Sequence, residues 1–269
     1  MHLACAKCGT TFVDPLPTDE DLRQIYSWDN YHAHHFSAPT PQRFTRSLAF
    51  LSKHAGARRR VLDFGCGDGS FLLAARAGFT CEGVEYEATT IARARDNAGV
   101  PVWSLEELVR SGARFDVVHM NDVLPHLRDP VETLRQLEGL LSPDGLFFIE
   151  GPLENNASLV HFVTSLTKGL RRRMGLDSPA VRPPTMLMRL TRDGQKEWFR
   201  EALGYQCVQF DVYETGWPYF VPGRSLRSVD DCVRQAVGAL AILASSVEPP
   251  ARRRLGNRYM AILAPRRRQ

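Results

Sequence analysis

The sequence predicts an α/β fold, a mostly parallel sheet covered by helices on both faces. Three observations carry this. Strand and helix patterns alternate from residue 58 to 152, and a glycine-rich turn follows the first buried run. The central runs VLDF (61–64), DVVHM (116–120) and LFFIE (146–150) are also apolar on both faces. Strands joined by crossover helices pair in parallel with right-handed connections. A strand apolar on both sides belongs in a sheet covered on both.

In chain order, residues 1–42 are polar and weakly periodic and are expected to form a cap or lid ahead of a domain over 43–269. Within the cap, DEDLRQIY reads as a short helix with Leu22, Ile25 and Tyr26 on one side. RFTRSLAFLSKH (43–54) sets Phe44, Leu48 and Leu51 at helical spacing. RVLDFG is then a strand, SFLLAARAG a helix ending at Gly78, TCEGVEY a strand and ATTIARARDNAG a helix ending at Gly99. PVWS, LEELVRSG, FDVVHMND, DPVETLRQLEGLL and GLFFIEG continue the alternation. Prolines, methionines and Arg171 to Arg173 break the rhythm in an insertion over 153–190, read as one or two short helices. RDGQKEWFREALGY is an amphipathic helix capped by Gly204 and QCVQFDVYE a strand. A helix over 226–246 and the strand RYMAILAP (258–265) end the chain.

Composition bounds the function. With 269 residues, 43% hydrophobic and 24% charged, the chain buries a full core. The sequence has neither a membrane-spanning run nor a secretory leader, which implies a cytoplasmic protein. Six scattered cysteines are unlike a disulfide scaffold and read as free thiols, with the pair Cys5 and Cys8 set apart. The formal charge of +4 rests on arginine, including four triplets. No aromatic residues interleave with the triplets, as a stacking platform for nucleic acid requires, so they read as solvated charge.

The turn after VLDF raises the question of which nucleotide cofactor it holds. A dinucleotide fingerprint would place its third glycine at position 70, where Ser70 stands. Glycines fall instead at Gly65, Gly67 and Gly69, with Cys66 between the first two and Asp63 ahead of them. A carboxylate there suits an ammonium and repels a diphosphate. An ordinary strand-to-helix turn needing glycine for positive φ is the competing reading.

The spacing D-x-G-x-G-x-G resembles motif I of the class I S-adenosylmethionine (SAM) dependent methyltransferases, and three later stretches fit in order. GVEYE supplies Glu85 about 20 residues on, where the family binds the ribose hydroxyls, and Tyr86 as a face for adenine. WSLEEL resembles the adenine-side loop and offers Ser104 and Leu105. FDVVHMNDVLPHLRDP resembles the segment beside the reactive methyl, with Asn121 and Asp122 at its strand end and Pro125 as a departure. The resemblance implies a Rossmann-like fold, with seven strands and an antiparallel last strand. It implies SAM as cofactor, S-adenosylhomocysteine as product and a SAM-binding core over 58–152.

The resemblance makes His126 the candidate general base, a role for which histidine titrates in the right range; an anchoring role is the alternative. Glu150 is expected to face the same crevice, and His119 to be a core histidine. The motifs of amino-directed and cytosine C5 nucleic-acid methyltransferases are absent, so nucleic acid is disfavoured. A small-molecule acceptor, methylated on oxygen or nitrogen, is preferred, within secondary metabolism or glycan and lipid modification. Alternatives are an RNA methyltransferase, a catalytically inactive SAM-binding partner protein and a nicotinamide dehydrogenase. The sequence leaves the oligomeric state open, a homodimer included.

CAKCGTTFVDP resembles the segment ahead of bacterial methyltransferases of sugars, lipids and secondary metabolites, whose paired CxxC knuckles bind zinc. One CxxC stands here, and four-coordinate zinc would need His2, His32, His34 or His35 besides Cys5 and Cys8. No metal is therefore expected. Tyr26, Trp28 and Tyr31 are expected to close over the site, and Thr185 stands where such relatives often carry a histidine.

Overall fold

The computed structural model describes residues 2–25, 41–173, 186–216 and 229–266. Strands β1 (His2–Ala4) and β2 (Thr11–Val13) form a hairpin, and α1 (Asp19–Ile25) follows, its entry capped reciprocally by Thr18 and Asp21. Helix α2 (Thr45–Ala55) leads into the alternating core: β3 (Arg60–Phe64), α3 (Ser70–Ala75), β4 (Thr80–Val84), α4 (Ala88–Ala98), β5 (Val102–Trp103) and α5 (Leu105–Ser111). Then come β6 (Phe115–Asn121), α6 (Pro130–Glu138) and β7 (Leu141–Pro152). The chain continues through α7 (Leu159–Arg173), β8 (Met188–Arg189), α8 (Arg192–Glu201), β9 (Gln206–Tyr213), α9 (Val229–Ser245) and β10 (Arg258–Ala264).

Seven strands form one sheet in the order β5-β4-β3-β6-β7-β10-β9, and β10 runs antiparallel to both of its neighbours. This is the seven-stranded Rossmann-like sheet expected from the motifs, with its last strand reversed. Side chains alternate between the faces of a strand, so adjacent residues enter different cores. Val61, Val117, Phe148 and Ile262 pack with Phe50, Phe71 and Leu72 on one side. Leu62, Val118, Phe147 and Ala261 pack with Leu108, Leu134 and Phe199 on the other.

Local chemistry sets the element ends. Ser104 and Glu107 form a capping box on α5, and Asp129 caps α6 with Pro130 in its first turn. Three parts depart from the sequence reading. Helix α3 stops at Ala75, short of Gly78. The insertion contributes one 15-residue helix and a short strand within the described residues. That strand, β8, pairs with β2 and makes a three-stranded sheet with the N-terminal hairpin. Among the described residues no helix is long and apolar enough to cross a membrane.

Candidate active site

Asp63, Glu85, Asn121 and Glu150 lie at or just beyond the carboxyl ends of β3, β4, β6 and β7, where open α/β sheets take their ligands. The glycine turn is held down by β4: the N–H groups of Gly65 and Cys66 both donate to the Val84 carbonyl. Gly69 has φ +76°, and a Cβ there would sit 2.8 Å from the Ala94 carbonyl oxygen, so the turn tolerates no side chain at that point. Cys66 is buried, and burial pushes its thiol up.

Glu85 reaches back to the turn. Its Oε2 accepts from Gly67 N–H at 2.8 Å and its Oε1 from Tyr86 N–H at 2.9 Å, while burial pushes the carboxyl up. Tyr86 is 73% exposed and offers a free ring face next to it. Ser104 spends its hydroxyl on the α5 cap, and Leu105 opens that helix against the core. A hollow of about 350 Å³ lies between Tyr86, Ile91, Ser104 and Glu107. A larger one, about 520 Å³, runs along β5 from Arg95 and Gly99 to Trp103, away from the glycine turn.

The turn's first residue connects to a buried polar chain. His119 is fully buried, with Nδ1 2.7 Å from Asp63 Oδ1 and Nε2 3.0 Å from Glu150 Oε1. Glu150 Oε2 accepts from Ser47 Oγ at 2.8 Å. Burial pulls the imidazole down, but the charge and hydrogen bond of Asp63, together with Glu150, more than offset it and hold the ring at about 9. Register explains the meeting: Asp63 and His119 are partners across β3 and β6, and Glu150 shares the face of Phe148, partner of His119.

Glu150 therefore does not face the open crevice as expected. Its strand parity turns it toward α2, it is 3% exposed, and both oxygens are occupied. His119 is the satisfied core histidine the sequence reading expected, with two carboxylate partners that the reading did not identify.

Asn121 and Asp122 meet a residue that no motif marked. Arg258, at the start of β10, donates from Nη2 to Asp122 Oδ1 at 2.7 Å and to Asn121 Oδ1 at 3.1 Å, and from Nε to the Tyr213 hydroxyl. Asp122 takes φ +58°, uncommon for a residue with a side chain. His126 sits half-buried in a 3-10 turn (Leu124–His126) just beyond. The preceding Pro125 carbonyl accepts from Leu187 N–H, and Leu187 in turn accepts from Val13 N–H. The insertion and the N-terminal hairpin are thereby tied to the candidate base. Ser47, Tyr213 and Arg258 carried no local signal, whereas His119 shares strand parity with Asp63's partner positions and was findable by that rule.

Cys5 and Cys8 form a tight turn with Gly9 N–H on the Cys5 carbonyl, and backbone N–H groups of Cys8 and Lys7 hold the Cys5 thiol low. Among the described residues no three His, Cys, Asp or Glu side chains are grouped as a metal site. Tyr26, Trp28, Tyr31, His32, His34, His35 and Thr185 lie outside the described residues.

A family model described as a methyltransferase domain matches residues 32–228, well over half of the chain. The ubiquinone biosynthesis O-methyltransferase of Actinobacillus pleuropneumoniae is 32% identical over 103 residues, covering 34% of this chain and 44% of the relative. A tRNA U34 carboxymethyltransferase of Alcanivorax borkumensis is 36% identical over 102 residues, 34% of this chain and 32% of its own length. The chain thus spans between about a third and about half of the curated relatives it matches. Among solved structures, magnesium protoporphyrin IX methyltransferase from Synechocystis, with bound S-adenosylhomocysteine, superposes with TM-score 0.53 at 14% identity. That match covers 91% of this chain and 99% of the other, and it shows the shared fold.

Proposed function

The chain belongs to the methyltransferase-domain family, and on that premise we propose that it transfers a methyl group from SAM to an oxygen or nitrogen atom of a small-molecule acceptor. The observation that carries this reading is the acidic border of the glycine turn, with Asp63, Asp68 and Glu85 around Gly65 to Gly69. Such a donor set fits a cationic amino-acid end and a ribose diol, and it would repel a diphosphate. The residues fit SAM on that ground.

Asp63 would orient the amino end, Glu85 would take the ribose hydroxyls, and Tyr86 with Leu105 would flank the adenine. The N–H groups that Glu85 now receives from Gly67 and Tyr86 keep its oxygens at the turn. Ser104, Asn121 and Asp122 would complete the cofactor's surroundings at the strand ends. SAM supplies an electrophilic methyl on a sulfonium, so the protein's main work is to hold the nucleophile in line and exclude water. On this reading His126 would accept the acceptor's proton, whereas Glu150, enclosed by His119 and Ser47, would not.

Two relatives, each matching over 34% of this chain, act, by name, in ubiquinone synthesis and on tRNA. Their printed names differ in the acceptor, so these matches leave the acceptor open. A small molecule is the reading we favour, because the amino-directed nucleic-acid motif is absent and several matched relatives carry a ubiquinone-biosynthesis name. Free buried thiols at Cys66 and Cys81 suit a reducing cytoplasm.

Isothermal titration with S-adenosylhomocysteine tests the reading: saturable one-to-one binding is expected, and none by the intact chain sinks it. With an acceptor found by mass spectrometry, His126→Gln should slow turnover by about 100-fold or more without weakening that binding.

A further inference from the structure

The buried chain Asp63–His119–Glu150–Ser47 spans 103 residues of sequence and three strands, and the proposed methyl transfer uses only its first member. The slot that holds His119 is shaped for a ring: Phe71 stacks on it at 3.8 Å between centroids and Phe148 lies at 4.8 Å. An aromatic hydrocarbon would fill that space without any desolvation cost. A histidine there requires its polar atoms to be matched, and both are, by carboxylates.

Geometry sets the ring's state. A neutral imidazole has one donor and one acceptor. Between two carboxylates at 2.7 and 3.0 Å, in a site fully closed to water, a neutral ring would aim a lone pair at one of them. A doubly protonated ring donates to both. Oδ1 of Asp63 is thereby committed to His119, and Oδ2 lies outside that contact.

The geometry points to His119 as a positioning residue: its imidazolium orients the Asp63 carboxylate toward the amino-acid end of the cofactor, and Glu150 makes that orientation depend on Ser47 of α2. This rests on the SAM reading above and names the device that keeps one contact of that site in place. It also gives α2, the helix that follows the cap segment, a physical link to the cofactor turn.

The groups around the chain come from every neighbouring element. The charge of Asp63 acts on Glu85, Cys66 and Cys81; Glu150 shares its sheet face with Tyr213 on β9 and Arg258 on β10, and its charge reaches Tyr259 on the opposite face. The thiols and phenols among them are displaced upward by burial, which leaves His119 as the group expected to change charge near pH 9.

The test compares two probes by isothermal titration at pH 7.5. S-adenosylhomocysteine carries the amino-acid end, whereas 5′-methylthioadenosine keeps the adenine and ribose but lacks it. His119→Gln should weaken the first about 10-fold and leave the second unchanged. Ser47→Ala, which removes only the hydrogen bond to Glu150, should move the same ratio about 2-fold in the same direction. Equal weakening of both probes, or of neither, overturns the proposal and leaves His119 a packing residue. If His119→Gln does not fold, an unchanged ratio in Ser47→Ala overturns it alone. Failure of the intact chain to bind either probe would count against the SAM reading instead.

Discussion

Arg258 and Asp122, 136 residues apart in sequence, form a 2.7 Å ion pair across the strand ends, and it holds a carboxylate whose backbone sits at φ +58°. Burial lowers the guanidinium's proton affinity, but the charge of Asp122 raises it well beyond the usual arginine range. The pair is half open, with Asp122's side chain 43% exposed, so its worth is discounted for solvent. Arg258→Met should lower urea-denaturation stability by about 1 kcal/mol. A loss indistinguishable from zero would mean that the Asp122 N–H on the Glu150 carbonyl alone holds the bend.

Glu85 has a double duty, accepting from Gly67 and Tyr86 and standing where the ribose is proposed to lie. Glu85→Ala should weaken S-adenosylhomocysteine by about 1–3 kcal/mol, the value of two charge-assisted hydrogen bonds. Titration calorimetry reads it directly, and an unchanged dissociation constant contradicts the ribose assignment.

His119 makes stability depend on pH in a defined window. Its folded value, about 9, lies above the ordinary 6.5, so the native state holds an extra proton between those values. Stability from this group is complete below about pH 6.5 and is lost as pH rises through about 9. The loss should be on the order of 3 kcal/mol. Urea unfolding from pH 6 to 10 measures it, and a flat profile would show the ring to be neutral.

The glycine turn makes a sharper comparison. Gly69→Ala forces a Cβ to within 2.8 Å of a backbone oxygen at φ +76° and should cost about 1–3 kcal/mol. Gly78, with nothing within 4 Å, should accept alanine with little change in melting temperature. Equal tolerance at both sites would show that the turn is free to move.

The sequence by itself determined the alternation of β3 to β7 with their helices, the acidic glycine turn and the positions of Glu85 and Tyr86. Each depends on residues near one another in the chain: hydrophobic period, caps such as Ser104 with Glu107, and glycines at turns. Where the pattern was short it carried less. The three-residue strands β1 and β2 and the two-residue β8 have too few alternations to announce themselves, and β8 finds β2 only by contact between Phe12 and Met188 and between Thr11 and Arg189, far apart in sequence.

Tertiary structure alone decided what Glu150, Ser47 and Arg258 do. Glu150 read as a crevice carboxylate because its place at a strand end was visible, while the face it turned to and the partners on that face were not. Strand register set Asp63 beside His119, and the packing of α2 on that face brought Ser47 to Glu150. A buried charge is stable only when opposite groups converge on it, and that convergence depends on distances between segments that no local pattern encodes.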